Sequence, residues 1–301
     1  MTPRVLAIVG PTAAGKTRLA IEVATRVGGE VISLDSMQAY QGMNIGTATP
    51  SMEERAGVAH HMFDVWPISH PLTVVEFRDA ARAAIEDVWG RGGVPIAVGG
   101  SGLYVRVVLE NLDPPGTDTD VRAALEDRLA ESGPRALHEE LGRIDPAAAA
   151  VINPMNGRRI VRALEVNAIT GGPFQANLPE PHDRYRTTRV GIAIDRTSLD
   201  ARIEARVDDM WRRGMVDEVR SLLAQGLAEA PTARAALGYG PVMDSLAGEI
   251  SEEQARMQTS ADTKKFARRQ QRWFAADSRI HWVEFDESSL VDDVVSVATR
   301  T

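Results

Sequence analysis

A glycine-rich loop near the start of the chain constrains the fold more than any other feature of the sequence. The segment Gly10-Pro-Thr-Ala-Ala-Gly-Lys-Thr17 matches G-x-x-x-x-G-K-[ST], directly after the apolar run Val5–Val9 and before a helical pattern. Glycines let backbone N–H groups converge at a helix N-terminus, where they hold phosphate oxygens. Lys16 adds a positive charge, and the Thr17 hydroxyl can bind Mg²⁺. The motif predicts a bound phosphate or diphosphate, but not the fate of that group.

The rest of the chain alternates between strand and helix patterns. Short apolar runs at 31–34, 94–98 and 189–194 are typical of buried strands, and 76–89 has the spacing of an amphipathic helix. From 121 to 170 every segment has a helical pattern. We therefore predict an α/β fold: a P-loop-type parallel sheet core flanked by helices, with an all-helical insertion domain. The predicted core comprises residues 1–112 and 186–301, and the predicted insertion comprises residues 113–185.

Composition excludes several classes of protein. The 301 residues include no cysteine, which excludes disulfides, thiolate zinc sites and a cysteine nucleophile. No window approaches the roughly 18 consecutive apolar residues of a membrane span, and the first residues lack the pattern of a signal peptide. We expect a cytoplasmic protein without a membrane partner. The net charge of −8 argues mildly against nucleic-acid binding, although such a sum does not exclude a local basic groove.

Several nucleotide-dependent classes share the phosphate loop. A GTPase should contain Asn-Lys-x-Asp for guanine, and this chain has no such segment. A motor-type ATPase should have an apolar strand that ends in Asp-Glu, whereas the strand at 94–98 continues as Gly-Gly-Ser. Small-molecule kinases remain possible, because they share the loop and vary elsewhere.

An acidic residue follows the second predicted strand. Asp35 ends that strand, and the carboxyl ends of adjacent parallel strands face one crevice, so Asp35 should overlook the phosphate site. A carboxylate there can assist Mg²⁺ or accept a proton from a nucleophile. Alternatively, Asp35 caps a turn or helix. Ser36, Gln38 and Tyr40 add hydrogen-bonding groups around the same crevice.

Taken together, these motifs resemble bacterial tRNA dimethylallyltransferases, and the resemblance covers nearly the whole chain. The matching segments are Gly10–Thr17, Asp35–Gln38, Gly42–Ala48, Val98–Tyr104, Arg158–Val166, Arg202–Arg206, Gly214–Val219 and Thr263–Trp273. Two segments depart from the family pattern. Gly238-Tyr-Gly-Pro241 stands where the family often has Gly-Tyr-Arg-Gln, and Thr49 stands where it often has lysine.

The resemblance implies a prenyl transfer from dimethylallyl diphosphate to N6 of adenine 37 in the tRNA anticodon stem-loop. The phosphate loop would then hold the leaving diphosphate with Mg²⁺, which Thr17 would bind, and Asp35 would be the general base. Lys16, Thr17 and Ser101 would join Asp35 in catalysis. The implied diphosphate-binding residues are Gly10, Pro11, Thr12, Ala13, Ala14, Gly15, Lys16, Thr17 and Arg206.

The same resemblance implies a set of RNA contacts, because the target adenine must leave its stack to be modified. The helical insertion would grip the anticodon stem-loop. The implied tRNA-binding residues are Asp35, Ser36, Met37, Gln38, Ser101, Arg122, Arg158, Arg159, Ile160, Val161 and Arg162.

Local charge is consistent with this interpretation. Two basic runs interrupt the acidic chain, and phosphate contacts from such runs can dominate affinity for nucleic acid. A solvated helix face is the alternative interpretation of each run. They are Arg158, Arg159 and Arg162, and Lys264, Lys265, Arg268, Arg269 and Arg272.

The sequence leaves the role of one arginine pair undecided and gives a simple structural interpretation to two other features. Arg202 and Arg206 lie four residues apart on one helix face, where they can reach the diphosphate or pair with neighbouring acids. The pair at 60–61, two adjacent histidines, is interpreted as a surface or loop feature and not as a metal site. Trp273 is interpreted as a packing residue.

Three other functions compete with tRNA prenylation. They are prenylation of a free adenine nucleotide, a small-molecule kinase that uses ATP, and an RNA adaptor without chemistry. The helical insertion and the basic runs favour tRNA over a mononucleotide, which needs no extended cationic surface. We expect a monomer.

Overall fold

A computed structural model of the chain describes residues 4–176, 178–286 and 288–300. Most of its strands coincide with short apolar runs that are bounded by turns at both ends. The strands are β1 (Arg4–Val9), β2 (Gly29–Ser33), β3 (His60–His61), β4 (Val94–Gly99), β5 (Arg186–Ala193) and β6 (Ile280–Glu284).

Helices occupy most of the remaining chain. The first six are α1 (Lys16–Val27), α2 (Val74–Gly90), α3 (Gly102–Leu109), α4 (Thr119–Ile144), α5 (Pro146–Val151) and α6 (Gly157–Thr170). Helix α4 is kinked at Gly133, whose backbone is not helical and which precedes Pro134. The others are α7 (Arg196–Arg212), α8 (Met215–Leu223), α9 (Tyr239–Leu246), α10 (Glu252–Ala275) and α11 (Leu290–Arg300). Two short 3₁₀ turns, Leu227–Glu229 and Ala233–Ala235, precede α9.

All six strands form one parallel sheet in the order β3-β2-β4-β1-β5-β6. Ile8 at the centre of the sheet pairs with Val98 on one side and Val190 on the other. These strands are buried on both faces, which explains why they are continuous apolar runs. The predicted α/β fold class, a parallel sheet flanked by helices with an all-helical insertion, is confirmed.

The chain divides into two compact units, which have separate cores. One unit combines Met1–Asn111 with Asp183–Thr301 and contains the sheet; the other is Leu112–His182. We refer to them as the α/β unit and the helical unit. In the helical unit, α4, α5 and α6 enclose an apolar core that includes Leu125, Leu141 and Ile160. Among the described residues of this unit there is no strand.

The α/β unit packs α1 and α11 over the sheet, where Leu19 and Val23 of α1 join Leu290 and Val294 of α11 in one apolar cluster. A second cluster joins α7 to Ala267 of α10. Among residues 4–176, 178–286 and 288–300, no helix combines the length and apolar character needed to cross a bilayer.

Candidate active site

The carboxyl ends of three neighbouring strands bring several predicted residues to one edge of the sheet. β2, β4 and β1 are adjacent, and the N–H of Leu34 donates to the carbonyl of Val98 at 2.7 Å, just past the end of β2. Gly10 follows β1, Asp35 lies two residues beyond β2, and Ser101 lies two residues beyond β4. Ligands of open parallel sheets bind at this edge.

The phosphate loop adopts the conformation that its glycines allow. Gly10 and Gly15 have φ values of 138° and 89°, and Ala13 between them has a φ of 63°. A left-handed alanine persists only where its surroundings hold it, and such residues cluster at functional sites. No described side chain caps the N-terminus of α1. First-turn N–H groups without a side-chain cap, together with the helix dipole, favour an anion at this end of α1.

Lys16 folds back onto the loop, and its ammonium donates to the carbonyl of Pro11 at 2.7 Å. Burial, and then the positive charge of Arg206, lower the pKa of Lys16 to about 7, while Asp35 acts in the opposite direction. The lowered pKa brings the neutral form of Lys16 within reach near neutral pH. A bound diphosphate would favour the charged form.

Asp35 is accessible to solvent, yet protein surrounds it on most sides because it lies in a recess. One carboxylate oxygen, Oδ1, accepts from the Met37 N–H at 3.0 Å, so the predicted turn-capping role is real. Among the described residues, Oδ2 accepts no hydrogen bond. Burial raises the pKa of Asp35, against the opposing effects of the Met37 N–H and the charges of Lys16 and Arg206. A raised pKa suits a proton acceptor.

The residues that follow Asp35 are held in place by buried hydrogen bonds. Gln38 is buried, and its Nε2 donates to the carbonyl of Thr47 at 3.2 Å while its Oε1 accepts from Ser33 Oγ at 2.7 Å. Ser36 is also buried and is hydrogen-bonded to Tyr104, a hydroxyl whose pKa burial raises. Tyr104 and Ser33 are therefore part of this site, although sequence reasoning did not single them out.

Helix α10 packs against the phosphate loop and the loop after β4. The side-chain oxygen of Gln270 accepts from the Thr12 N–H at 2.8 Å. A Cβ added at Gly100 would lie 2.4 Å from Gln270 Nε2, and one at Gly102 would lie 1.8 Å from Trp273 Nε1. Glycine at both positions lets α10 approach this closely. Ser101 lies between them and begins α3 as its N-cap.

The two arginines of α7 both face the site. Arg202 Nε donates to the carbonyl of Ala13 at 2.8 Å, and its guanidinium lies 4.6 Å from the centre of the Phe285 ring. Arg206 donates to the carbonyl of Thr47 at 3.4 Å. The acids near them in sequence have other partners, since Glu204 pairs with Lys264 and Asp208 pairs with Arg256. Arg206 therefore supplies charge beside Lys16 and Asp35.

Comparison with known proteins gives this site its context. The family model described as IPP transferase matches residues 38–277. The chain belongs to the IPP transferase family. The tRNA dimethylallyltransferase of Salinispora tropica is 52% identical over 97% of this chain and 92% of its own length. That of Thermobifida fusca is 53% identical over 96% of this chain and 92% of its own length. The family predicted from the motifs is confirmed.

Solved structures of the family share the fold. The full-length tRNA isopentenylpyrophosphate transferase from Bacillus halodurans is 36% identical, with a TM-score of 0.72, and the match covers 100% of this chain and 98% of that one. A eukaryotic dimethylallyltransferase acting on tRNA is 25% identical, with a TM-score of 0.80 over 98% of this chain and 77% of that one.

Two oxygen donors near the phosphate loop are available to the Mg²⁺ ion that the sequence predicts. Thr17 is the second residue of α1, and Asp35 supplies the accessible carboxylate. Within residues 4–176, 178–286 and 288–300, no group of three or more His, Cys, Asp or Glu side chains is arranged to hold a metal. Mg²⁺ commonly takes few protein ligands and completes its shell with substrate phosphates and water. The donor set fits a Mg²⁺ ion that binds together with a diphosphate.

In the helical unit, two of the predicted RNA-contacting arginines are engaged with one buried acid. Arg122 and Arg162 donate to Glu165 Oε2 at 2.6 and 2.7 Å, and Glu165 is 0% exposed. Burial opposes ionisation of Glu165, but the two arginines outweigh it and lower its pKa. Oε1 of the same carboxylate accepts from the Asp118 N–H at 3.1 Å, at the start of α4.

The other members of this stretch divide between core and surface. Ile160 and Val161 are buried in the core of the helical unit, so their side chains do not face an external ligand. Arg158 and Arg159 are exposed, and Arg159 donates to the carbonyl of Ala176. These two arginines carry the accessible charge of the stretch.

The second basic run is also largely paired. Lys264 and Lys265 form ion pairs with Glu204 and Asp262, and Arg268 Nη2 lies 3.7 Å from Asp200 Oδ2. The two remaining cations, Arg269 and Arg272, are exposed. Thr49, at one departure from the family pattern, is buried and hydrogen-bonded to Thr47. Gly240 and Pro241, at the other departure, lie in the first turn of α9.

Proposed function

We propose that this protein transfers a dimethylallyl group from dimethylallyl diphosphate to N6 of adenine 37 in tRNA. Membership of the IPP transferase family and relatives named tRNA dimethylallyltransferase support the overall reaction. The observation that carries the detailed chemistry is an accessible carboxylate of raised pKa, Asp35, electrostatically coupled to Lys16 and Arg206 at a phosphate loop.

The reaction joins the adenine N6 to the allylic carbon and breaks the bond between that carbon and the diphosphate oxygen. The electron pair of the broken bond leaves with the diphosphate. First-turn N–H groups of α1, Lys16 and Arg206 would stabilise this developing charge. Asp35 would accept the proton that N6 loses, which restores a neutral amine.

Thr17 would hold Mg²⁺ beside the diphosphate. The ion, when bound, supplies positive charge that complements that of Lys16 and Arg206. Lys16 would donate through its ammonium to a diphosphate oxygen, exchanging its present bond to the Pro11 carbonyl for one to the substrate.

The RNA substrate requires an extruded base, because N6 of a stacked adenine is inaccessible to a side chain in a recess. The Asp35–Gln38 turn and Ser101 would contact that base. Arg158 and Arg159, the accessible cations of the helical unit, would contact the phosphate backbone of the anticodon stem-loop.

The test is an incorporation assay with radiolabelled dimethylallyl diphosphate and unmodified tRNA, with and without Mg²⁺. Label in tRNA at N6 of adenine 37, dependent on Mg²⁺, is expected. Label in AMP would instead indicate the free-nucleotide reaction, and ATP consumption would indicate a kinase. A tRNA whose position 37 is guanine is the matched control, and labelling of that tRNA would contradict the assigned target.

A further inference from the structure

A carboxylate outside the phosphate site holds one of the loops that reach it. Glu218 on α8 accepts from three successive backbone N–H groups, those of Asn44, Ile45 and Gly46, at 2.9, 2.6 and 3.0 Å. Successive N–H groups that converge in this way form an anion-binding concavity. The hydroxyl of Tyr239 also donates to Glu218, at 2.7 Å. The loop segment 44–46 is therefore bound to α8 through one acidic side chain.

Local geometry shows that this attachment is closely fitted. A Cβ added at Gly46 would lie 2.5 Å from the Tyr239 ring, so the backbone comes into direct contact with the aromatic face. Ala48, two residues on, has a φ of 51°. An alanine in the left-handed region is held there by surrounding contacts, and such residues occur at sites where geometry matters for function.

The carbonyls of the next two loop residues, Thr47 and Ala48, accept hydrogen bonds from residues of the active site. Thr47 O accepts from Gln38 Nε2 at 3.2 Å and from Arg206 Nη2 at 3.4 Å. Ala48 O accepts from the same Gln38 nitrogen at 3.5 Å.

The far end of Gln38 continues the network toward the proposed base. Gln38 Oε1 accepts from Ser33 Oγ at 2.7 Å, and Ser33 Oγ accepts from the Asp35 N–H at 3.1 Å. Hydrogen bonds, joined by the covalent backbone of residues 44–48, thus connect Glu218 to both Arg206 and the Asp35 turn.

We propose that Glu218 is a positioning residue for prenyl transfer. It contacts neither substrate; it fixes the loop 44–48, whose carbonyls orient the Arg206 guanidinium and the Gln38 amide. The proposal rests on the proposed function, in which Arg206 faces the diphosphate and the turn after Asp35 faces the adenine.

The first experiment compares Glu218→Gln with Asp217→Asn. Asp217 is a neighbour on the same helix that is exposed and, among the described residues, forms its ion pair with Arg220 one turn away. The amide of Glu218→Gln replaces one acceptor by a donor facing N–H groups. We expect this variant to bind inorganic pyrophosphate about tenfold more weakly and to lose about tenfold or more in kcat. Asp217→Asn should match the wild type in both. Equal pyrophosphate affinity in Glu218→Gln and the wild type would overturn the proposal.

A double-mutant cycle separates positioning from general destabilisation. Glu218→Gln is measured alone and together with Arg206→Ala, with pyrophosphate binding by calorimetry as the readout. If Glu218 acts through Arg206, its effect should shrink to less than about twofold in the Arg206→Ala background, because coupled residues are not additive. The same factor in both backgrounds would assign Glu218 a purely structural role and overturn the proposal.

A milder variant covers the case in which Glu218→Gln does not fold. Tyr239→Phe removes one of the hydrogen bonds to Glu218 and keeps the ring; a loss of pyrophosphate affinity of about threefold is expected, again abolished by Arg206→Ala. An undiminished loss in that background would count against positioning. A wild-type protein that binds pyrophosphate but does not prenylate tRNA would contradict the proposed function instead, so the two failures are distinguishable.

Discussion

Buried charge has opposite consequences in two regions of the molecule. One is the recess at the phosphate loop, with Lys16, Asp35 and Arg206, and the other is the cluster of Arg122, Arg162 and Glu165 in the helical unit. In the recess, burial and the charge of Arg206 depress the pKa of Lys16, and burial raises that of Asp35. In the helical unit, Arg122 and Arg162 converge on Glu165 and lower its pKa despite its burial. Each region places two cations around one acid. In the recess burial dominates and shifts the pKa values of Lys16 and Asp35 toward their neutral forms. In the helical unit, direct hydrogen bonds from both arginines keep Glu165 ionised.

The difference indicates what each region can do. Titratable groups held away from their ordinary pKa respond strongly when a charged substrate arrives, and such groups cluster at functional sites. A buried acid saturated by hydrogen bonds instead fixes a backbone, here the start of α4 beside α6. The helical unit therefore uses buried charge to hold its backbone in place. The recess instead contains groups whose protonation can change when a substrate binds.

The largest effect should come from removing the proposed base. Asp35→Asn keeps the shape and the acceptor for the Met37 N–H but does not accept a proton, so kcat should fall by about 10²- to 10⁴-fold. Pyrophosphate affinity should stay within about threefold, because Lys16 and the loop are intact. Single-turnover prenyl transfer and calorimetry measure the two quantities. Glu53→Gln, an exposed acid in the loop before β3, is the control. Near-normal turnover of Asp35→Asn would refute the assignment.

Next in size is the loss of the buried acid in the helical unit. Glu165→Ala leaves Arg122 and Arg162 without their common partner, and should destabilise the protein by about 2 to 3 kcal/mol in chemical denaturation. Glu139→Ala, an exposed acid on α4, should change stability by less than about 0.5 kcal/mol.

The same variant has a pH signature. The pKa of Glu165 is lowered from 4.5 on folding, so its contribution is present above pH 4.5 and is lost as pH falls through the lowered value. The stability difference between Glu165→Ala and the wild type should therefore shrink in acid. A difference that stays constant down to pH 3 would show that the ionised carboxylate is not what stabilises the unit.

These contrasts also explain which parts of the molecule are readable from sequence. The phosphate loop and Asp35 are local: each directly follows a short apolar run, and parallel pairing then brings strand ends together whatever the rest of the chain does. The helical character of residues 121–170 is local as well, and it became α4, α5 and α6. Their functional roles remain predictions.

Contacts between distant segments have no comparable signal. Gln270 and Thr12 are 258 residues apart, and only the packing of α10 on the loop joins them. Edge strand β3 consists of two histidines, which is too short to show an alternation of apolar and polar residues. Helix α9 contains Gly240 and Pro241, two residues that argue against a helix in a sequence pattern. By contrast, α11 does have a local signal, because Leu290, Val291, Val294 and Val295 are at helical spacing.

A smaller effect should follow from the lowered pKa of Lys16. Because the pKa of free Lys16 is about 7 and a bound diphosphate favours the charged form, binding above pH 7 should take up a proton. Affinity for pyrophosphate should then fall by up to about tenfold per pH unit, beyond the change due to the ligand's own titration. Lys16→Gln should retain only the ligand's dependence, and Lys265→Gln should behave as the wild type. Calorimetry in buffers of different ionisation enthalpy counts the protons. Equal proton uptake by the wild type and Lys16→Gln would contradict the lowered pKa.

The smallest effect should come from the accessible cations of the helical unit, and it distinguishes them from the arginines that pair with Glu165. Arg158→Ala and Arg159→Ala together should weaken tRNA binding by about three- to tenfold and reduce the salt slope by less than about two. Stability should change by less than about 0.5 kcal/mol, because both side chains are exposed and the hydrogen bond from Arg159 to the Ala176 carbonyl lies at the surface. Arg162→Ala should instead lower stability, since it donates to Glu165 and to the carbonyls of Pro115 and Gly116. Filter binding across a salt series and denaturation measure the two effects. If Arg162→Ala weakened RNA binding at unchanged stability, its charge would act on the ligand and not on the scaffold, and the contrast between the helical unit and the recess would no longer hold.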